Sequence, residues 1–406
     1  MYLKNLSLTN FRNFARLDLD LPDGPLLLVG ANGQGKTSLL EAVYYLATFT
    51  SFHATHDREL VNFVAAREQL AVGRIVAHFE RDGSQCKLEI RIIKETNGLN
   101  GSSRVRKEIL FNDLKMKMGE AVGQFMSVLF LPQMVSVIEG APEERRRFLN
   151  LAMAQVIPGF SKTLADYRQT LTQRNALLKQ LQEFGGDADQ LNYWDELLIA
   201  KGSTLIFERI QAVQQLERIA TSNHRELTRG DSILRLSYHP AYDPIPETPG
   251  QFSLPLEDPV DRGGLTLEDI QKGFEKRLHI QRSVDIARGV TSLGPHRDDL
   301  RFLENGIDLG IYGSRGQVRT AMLSLKIAEM TWMEQRTKFS PLLLLDEALA
   351  ELDPTRREDL LQRVTNSGQT LLTTTDLDLF SADFIGEAAL WEVKEGRVEE
   401  ITNPGK

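Results

Sequence analysis

The sequence predicts an α/β fold: one head assembled from both ends of the chain, with a mainly helical lobe, a short antiparallel helical arm, inserted between them. Three observations carry this prediction. The first third is rich in strand patterns, helical periodicity then runs from after FMSVLFLP to about residue 288, and strand and helix alternate again around the buried run PLLLLDE. The expected divisions are residues 1–140 and 289–406 for the two halves of the head and 141–288 for the inserted lobe.

The N-terminal strands follow from period-two alternation in LSLTNF and ARLDLDL, and from the wholly apolar PLLLVG, which suits a strand covered on both faces. AVGRIVAHFE and CKLEIRIIKE flank the turn RDGS and read as a hairpin. In the lobe, Leu164, Tyr167, Leu171, Leu178 and Leu181 form a three-and-four stripe interrupted by Arg174. Leu191, Trp194, Leu198, Ile206, Ile210 and Val213 form a second, with a turn near FGGDAD between them. Such stripes are ordinary helix-packing surfaces. Residues 239–264 are dense in Pro and Gly, read as an irregular loop, and carry no chemistry. DDLRFLENGIDLGIY supplies a second hairpin around ENGI, followed by a helix from about Gln317 and the PLLLLDE strand.

Composition narrows the functional classes. The 406 residues are 41% apolar and 26% charged, with no apolar run long enough to span a bilayer. MYLKNLSLTNFRNF lacks the basic-then-apolar layout of a secretory leader, and a lone Cys86 cannot form an internal disulfide, so cytoplasmic residence is expected. A net charge of −8 makes any nucleic-acid contact a local matter. The local basic clusters are Arg104, Arg106 and Lys107, then Lys115 and Lys117, then Arg145, Arg146 and Arg147 directly after two glutamates. Each cluster by itself reads as a solvated face.

The strongest local signal is GANGQGKT, residues Gly30, Ala31, Asn32, Gly33, Gln34, Gly35, Lys36 and Thr37, between a strand and the amphipathic SLLEAVYYLA. Its glycines let backbone N–H groups wrap phosphate oxygens while the following helix presents its positive end. Lys36 brings a charge toward the β and γ phosphates, and the Thr37 hydroxyl suits Mg²⁺, so ATP with Mg²⁺ is the expected ligand pair. LLLLDEALAELD delivers Asp346 and Glu347 at the carboxyl end of a buried strand, where open α/β sheets place ligand chemistry. Asp346 is then a metal ligand and Glu347, with Lys36, a catalytic group, polarising the attacking water. SRGQ opens a helix shortly before this strand, and Ser314 and Gly316 there make a second anion site that also caps the helix. His296 in GPHRDDL has no second ligand at metal spacing and reads as a strand-ordering residue.

An insertion between a P-loop and an S-x-G-Q segment just before an acidic strand resembles the ABC ATPases, whose signature faces the γ-phosphate of a partner molecule's ATP. The opening LTNFRNF, with Arg12 after Asn10 and Phe11, resembles the SMC-type branch, and the resemblance carries Arg12 into the nucleotide site. LTNFRNF, FLPQMVSVIEGAPEERRRFLN, YRQTLTQRNALLK, TSLGPHRDDL, YGSRGQVRTAMLSLKIAE and LLLLDEALAELD together, in order, resemble the RecF family of recombination mediators across nearly the whole chain. That resemblance implies an ABC/SMC-type P-loop ATPase head that dimerises on ATP and binds double-stranded DNA and gapped junctions. It also implies work with RecO and RecR to load RecA, in DNA repair, replication and recombination.

Residue by residue, Gly30 to Thr37 match the family's Walker A segment, Ser314, Gly316 and Gln317 its signature, Asp346 and Glu347 its Walker B, and Glu351 to Asp353 its D-loop. Where the family commonly has Pro-Glu-Asp, this chain has Pro132, Gln133 and Met134, and Gln133 resembles the Q-loop residue that reaches the metal or water. The family lacks the switch histidine of ABC transporters, and Thr375 and Asp376 stand at that place here, which implies slow hydrolysis with ATP as a timer. On these grounds Arg104, Arg106, Lys107 and Arg145 to Arg147 are the expected DNA contacts. An SMC-like chromosome-organising ATPase is the alternative, disfavoured by the short arm. The soluble ATPase subunit of a transporter is a third reading, opposed by the SMC-like opening and the absent histidine.

Overall fold

The structure is a computed structural model describing residues 1–96, 103–245, 260–366 and 368–401. The central part of the Pro-rich stretch, residues 246–259, lies outside the described residues. The chain divides into two compact units, one of residues 1–134 with 329–406 and the other of residues 135–328.

The first unit holds two six-stranded sheets. One is antiparallel, in the order Phe14–Asp20, Tyr2–Phe11, Leu70–Arg81, Ser84–Thr96, Ser103–Phe111, Leu114–Lys115. Asp82 and Gly83, at φ 52° and 70°, make the two-residue turn of its central hairpin, the geometry that matches right-handed strand twist. The other sheet has a parallel core, Ala389–Lys394, Pro25–Val29, Thr370–Thr374, Leu342–Asp346 and Ser127–Phe130, with Arg397–Glu400 added antiparallel at its edge. Every residue of Leu342–Asp346 and Thr370–Thr374 is buried, which is why these strands are written as unbroken apolar or threonine runs without alternation. Helix Lys36–Thr48 is buried along most of its length, and one apolar cluster joins its Leu39, Leu40 and Val43 to Leu6 and Ile90 of the antiparallel sheet and Leu344 and Leu371 of the parallel one.

The second unit contains helices Pro142–Val156, Phe160–Phe184, Asn192–Leu227 and Leu267–Arg288, the start of Arg315–Thr337, and a three-stranded antiparallel sheet. That sheet departs from the expectation that the lobe is helical to residue 288. Leu234–His239 is a strand, and Asp299–Glu304 pairs along its whole length with it, from Asp299 against His239 to Glu304 against Leu234. This pairing places the hairpin and the following signature segment in the second compact unit, residues 135–328. Asn305 and Gly306, at φ 50° and 81°, form the hairpin turn.

The apolar stripe broken by Arg174 has a physical reason. Arg174 is fully buried, and its Nε donates to Asp195 Oδ1 at 2.7 Å while Nη1 donates to Asp285 Oδ2 at 2.9 Å and Thr291 Oγ1 at 2.7 Å. Arg282 Nη2 donates to the second oxygen of Asp195 at 2.7 Å. The expected pair of helices is therefore a trio, with Leu267–Arg288 tied to both through these charge pairs. His296 is also structural. Its Nδ1 accepts from the Tyr167 hydroxyl at 2.7 Å and its Nε2 donates to the Thr291 carbonyl at 3.1 Å, a carbonyl that can only accept, and burial pushes its pKa down to about 4.

Candidate functional site

The P-loop leaves strand Pro25–Val29 in the middle of the parallel sheet and enters helix Lys36–Thr48. It is held from both sides. Asn13 Nδ2 donates to the Gln34 carbonyl at 3.0 Å, the Glu395 backbone N–H donates to Gln34 Oε1 at 2.7 Å, and the Gly396 N–H donates to the Gln34 carbonyl at 3.2 Å. Gly35 sits at φ 123°, and a Cβ there would fall 2.5 Å from Asn13 Nδ2. A Cβ at Gly30 would fall 2.3 Å from the Val393 carbonyl oxygen. These two positions require glycine because the loop is clamped and not merely because it turns.

Lys36 is 4% exposed. Its Nζ donates to the carbonyls of Gly30 at 2.6 Å and Ala31 at 3.3 Å and lies 3.3 Å from Glu347 Oε1. Thr37 Oγ1 lies 3.1 and 3.0 Å from the two carboxylate oxygens of Asp346. Glu347 has left-handed backbone geometry, φ 51° and ψ 19°, strained for a side chain of its size. The strain aims its carboxylate back across the loop toward Lys36. Its Oε1 is buried and, although paired by charge with Lys36, accepts no hydrogen bond among the described residues.

Thr373 completes this arrangement and was not legible from the sequence. Its hydroxyl donates to Asp346 Oδ1 at 2.6 Å and accepts from the Glu347 N–H at 3.1 Å, so one buried residue on the neighbouring parallel strand orients both acids. The available signal was TTTD ending a buried strand, which looks like any strand terminus.

An open cavity of about 500 Å³ lies over the loop, lined by Ala31, Asn32, Gly33, Gly35, Lys36, Thr37, Ser38 and Glu347 and rimmed by Arg12, Asn13, Glu59, Val61, Asn62 and Phe63. Arg12 is held at this rim, also at positive φ, by a two-pronged pair with Glu41 at 2.6 and 2.7 Å and by a bond to the Glu59 carbonyl at 3.1 Å. Glu41 is 1% exposed on the helix that follows the loop, so Arg12 fastens the first hairpin to the P-loop helix.

The remaining expected residues lie elsewhere. Gln133 is exposed in the turn Pro132–Val135 and does not line the cavity. Asp353 does not line the cavity either. It accepts from the Arg356 N–H at 3.1 Å at the start of helix Pro354–Asn366, and burial, which pushes its pKa up, is outweighed by its bonds to Arg356. Thr375 and Asp376 are exposed beyond strand Thr370–Thr374, and Asp376 caps the next turn through the Asp378 N–H at 2.9 Å. In the second unit, the Ser314 N–H donates to Gln317 Oε1 at 2.9 Å and the Gln317 N–H to Ser314 Oγ at 3.3 Å, a reciprocal cap opening helix Arg315–Thr337. Gly316 is exposed in its first turn.

The basic clusters fare unequally. Arg145 donates to both oxygens of Asp299 at 2.6 and 3.0 Å and to the Gly140 carbonyl at 2.6 Å, and Arg146 donates to the Asp298 carbonyl at 2.7 Å. Contrary to expectation, these two fasten helix Pro142–Val156 to the start of the hairpin strand instead of facing solvent as DNA contacts. Lys107 is likewise engaged, with the Phe49 carbonyl at 3.1 Å and Asp57 at 3.0 Å. Arg104 and Arg147 are exposed, and Arg106 is exposed beside Glu108 at 2.6 Å. Lys115 stands 3.5 Å from the same Glu108, and Lys117 is exposed.

The family model described as the RecF/RecN/SMC N terminal domain matches residues 2–385. The DNA replication and repair protein RecF of Chloroflexus aggregans is 39% identical over 409 residues, covering 98% of this chain and 99% of its own, and that of Bacillus subtilis is 32% identical over 401 residues at the same coverages. The chain belongs to the RecF family. The solved structure of the recombination mediator protein RecF-ATP of the RecFOR pathway superposes with a TM-score of 0.82 at 29% identity, covering 99% of this chain and 98% of that one. The RecF fold is therefore the fold of this chain, an SMC-related ABC-type ATPase architecture. The membrane-transporter reading gives way to it. Among the described residues, no helix is long and apolar enough to cross a membrane.

Proposed function

We propose that this chain is an ATP-switched DNA-binding protein of recombinational repair, and the observation that carries the reading is one cavity lined by Lys36, Thr37 and Glu347, with Asp346 directly behind it against the Thr37 hydroxyl. The donor set fits a nucleoside triphosphate with Mg²⁺. Thr37 and Asp346 offer hard oxygen ligands within 3.1 Å of each other, as Mg²⁺ requires, and the loop N–H groups and Lys36 face the phosphates. Bound Mg²⁺ supplies charge neutralisation on the phosphate oxygens. Glu347 orients and deprotonates water, Thr373 holds Asp346 and Glu347 in register, and Arg12 keeps the rim against the P-loop helix. RecF-ATP among solved structures supports ATP as the nucleotide.

Ser314, Gly316 and Gln317 then face the γ-phosphate held by a second copy, so that ATP joins two heads and the joined heads bind duplex DNA and gapped junctions. Arg104, Arg106 and Arg147 are the exposed cations offered to phosphates. With RecO and RecR, the clamp promotes RecA loading on single-stranded DNA. Slow hydrolysis, with Thr375 and Asp376 in place of a switch histidine, resets it. The names of the relatives, DNA replication and repair protein RecF and a mediator of the RecFOR pathway, support this placement.

The test is DNA binding by fluorescence anisotropy, with and without ATP and Mg²⁺, across a salt series. Affinity is expected to depend on ATP and to fall linearly in log–log form, with a slope of about −0.9 per phosphate contact. Binding indifferent to ATP, or to salt, contradicts the reading. A second prediction concerns Thr373→Val, which keeps shape and strand propensity while removing the shared hydroxyl. ATP turnover should fall about 10- to 100-fold, the usual worth of a bond to a charged group, with the melting temperature little changed.

A further inference from the structure

Resting on the reading that ATP joins two copies, we infer that the joint has an apolar half contributed in trans: Ile311 and Tyr312 of one copy seat on Phe63 and Val64 of the other, at the rim of its nucleotide cavity. Each pair is exposed where a self-standing chain has no reason to place it. Phe63 is 71% and Val64 70% exposed, and Ile311 and Tyr312 are 65% and 75% exposed. Their backbones are nevertheless fixed. Asn62 pins the first pair, its Oδ1 accepting from the Val64 N–H at 3.0 Å and its Nδ2 donating to the Arg12 carbonyl at 2.7 Å. The second pair follows Leu309, which is buried, with Asp308 accepting from the Gly310 N–H at 2.8 Å and the Gly313 N–H donating to the Leu309 carbonyl at 3.1 Å.

Position decides the occupant. Tyr312 precedes Ser314 by two residues, so whatever holds Ser314 and Gly316 against a partner's phosphate carries Tyr312 and Ile311 to within about 10 Å of that cavity. Phe63 is part of the cavity rim. An adenine base in the cavity could cover Phe63, but it would leave Val64, which does not line the cavity, and would leave Ile311 and Tyr312 untouched. A second copy covers all four, and two-fold symmetry makes the contact twice, because each copy carries both halves.

The test mixes two single-cysteine variants, Val64→Cys and Tyr312→Cys, each also carrying Cys86→Ser, with a short bis-maleimide, so that only an intermolecular contact yields a covalent heterodimer. The heterodimer is expected with ATP and Mg²⁺ and not without. Tyr312→Asp should weaken the ATP-dependent dimer about tenfold or more in sedimentation while leaving the single chain's ATP affinity unchanged. Dimerisation of wild type with ATP but no crosslink, and a Tyr312→Asp dimer as tight as wild type, overturns this inference and leaves the joining of heads standing. A crosslink indifferent to ATP also overturns it. Failure of wild type to dimerise with ATP overturns the reading beneath it.

Discussion

Glu347→Gln is expected to slow ATP hydrolysis about 10²- to 10⁴-fold, the usual contribution of a positioned general base, while ATP still binds. The substitution keeps side-chain size, so the left-handed backbone at φ 51° and the N–H bond to Thr373 should persist. What is lost is the negative charge on the carboxylate 3.3 Å from Lys36, and with it the proposed acceptor of the attacking water's proton. On the proposed joining of heads by ATP, the variant should accumulate as a dimer that outlives the wild-type one. Single-turnover hydrolysis and size measurement on the same sample check both halves. Unchanged hydrolysis would remove Glu347 from the chemistry.

Lys36→Ala acts one step earlier. The ammonium is 4% exposed and is shared between loop carbonyls and Glu347, a placement that suits a group meant to meet the phosphates of a ligand and not bulk water. Its removal should weaken ATP binding about 10- to 100-fold, and ATP-stimulated DNA binding should disappear, since no ATP-joined form builds up. The parallel sheet and the helix that follow the loop are packed by leucines unaffected by the change, so circular dichroism should be that of wild type. Calorimetric titration with ATP, followed by anisotropy with DNA, reads both effects. DNA binding that still responds to ATP would contradict the assignment.

The site's core was legible because phosphate chemistry imposes local grammar. Gly30 to Thr37 and Asp346 with Glu347 lie on short contiguous segments flanked by buried strands, and the physics of each segment is contained in it. What escaped was everything made by pairing distant segments. Thr373 matters only because its strand runs parallel to Leu342–Asp346, and Glu41 only because Arg12 reaches it from the first hairpin. The engagement of Arg145 and Arg146 was hidden for the same reason, since Asp299 and Asp298 lie far along the chain but adjacent in space. LRLSYH was hidden as a strand by the long helix before it, and its partner Asp299–Glu304 supplies the reason it forms. Arg174, conversely, was visible as an interruption, and only the folded positions of Asp195 and Asp285 make it a hub.

The central claim, that ATP joins two heads through the signature segment, is tested most directly by analytical ultracentrifugation of wild type and Ser314→Arg, each with and without ATP and Mg²⁺, followed by gapped DNA. Wild type alone should sediment as a dimer with ATP, and only that dimer should bind the DNA, because the arginine blocks the approach of Ser314 and Gly316 to the partner's phosphate. If both proteins remain monomeric and bind DNA equally, the head does not work as an ATP-closed clamp.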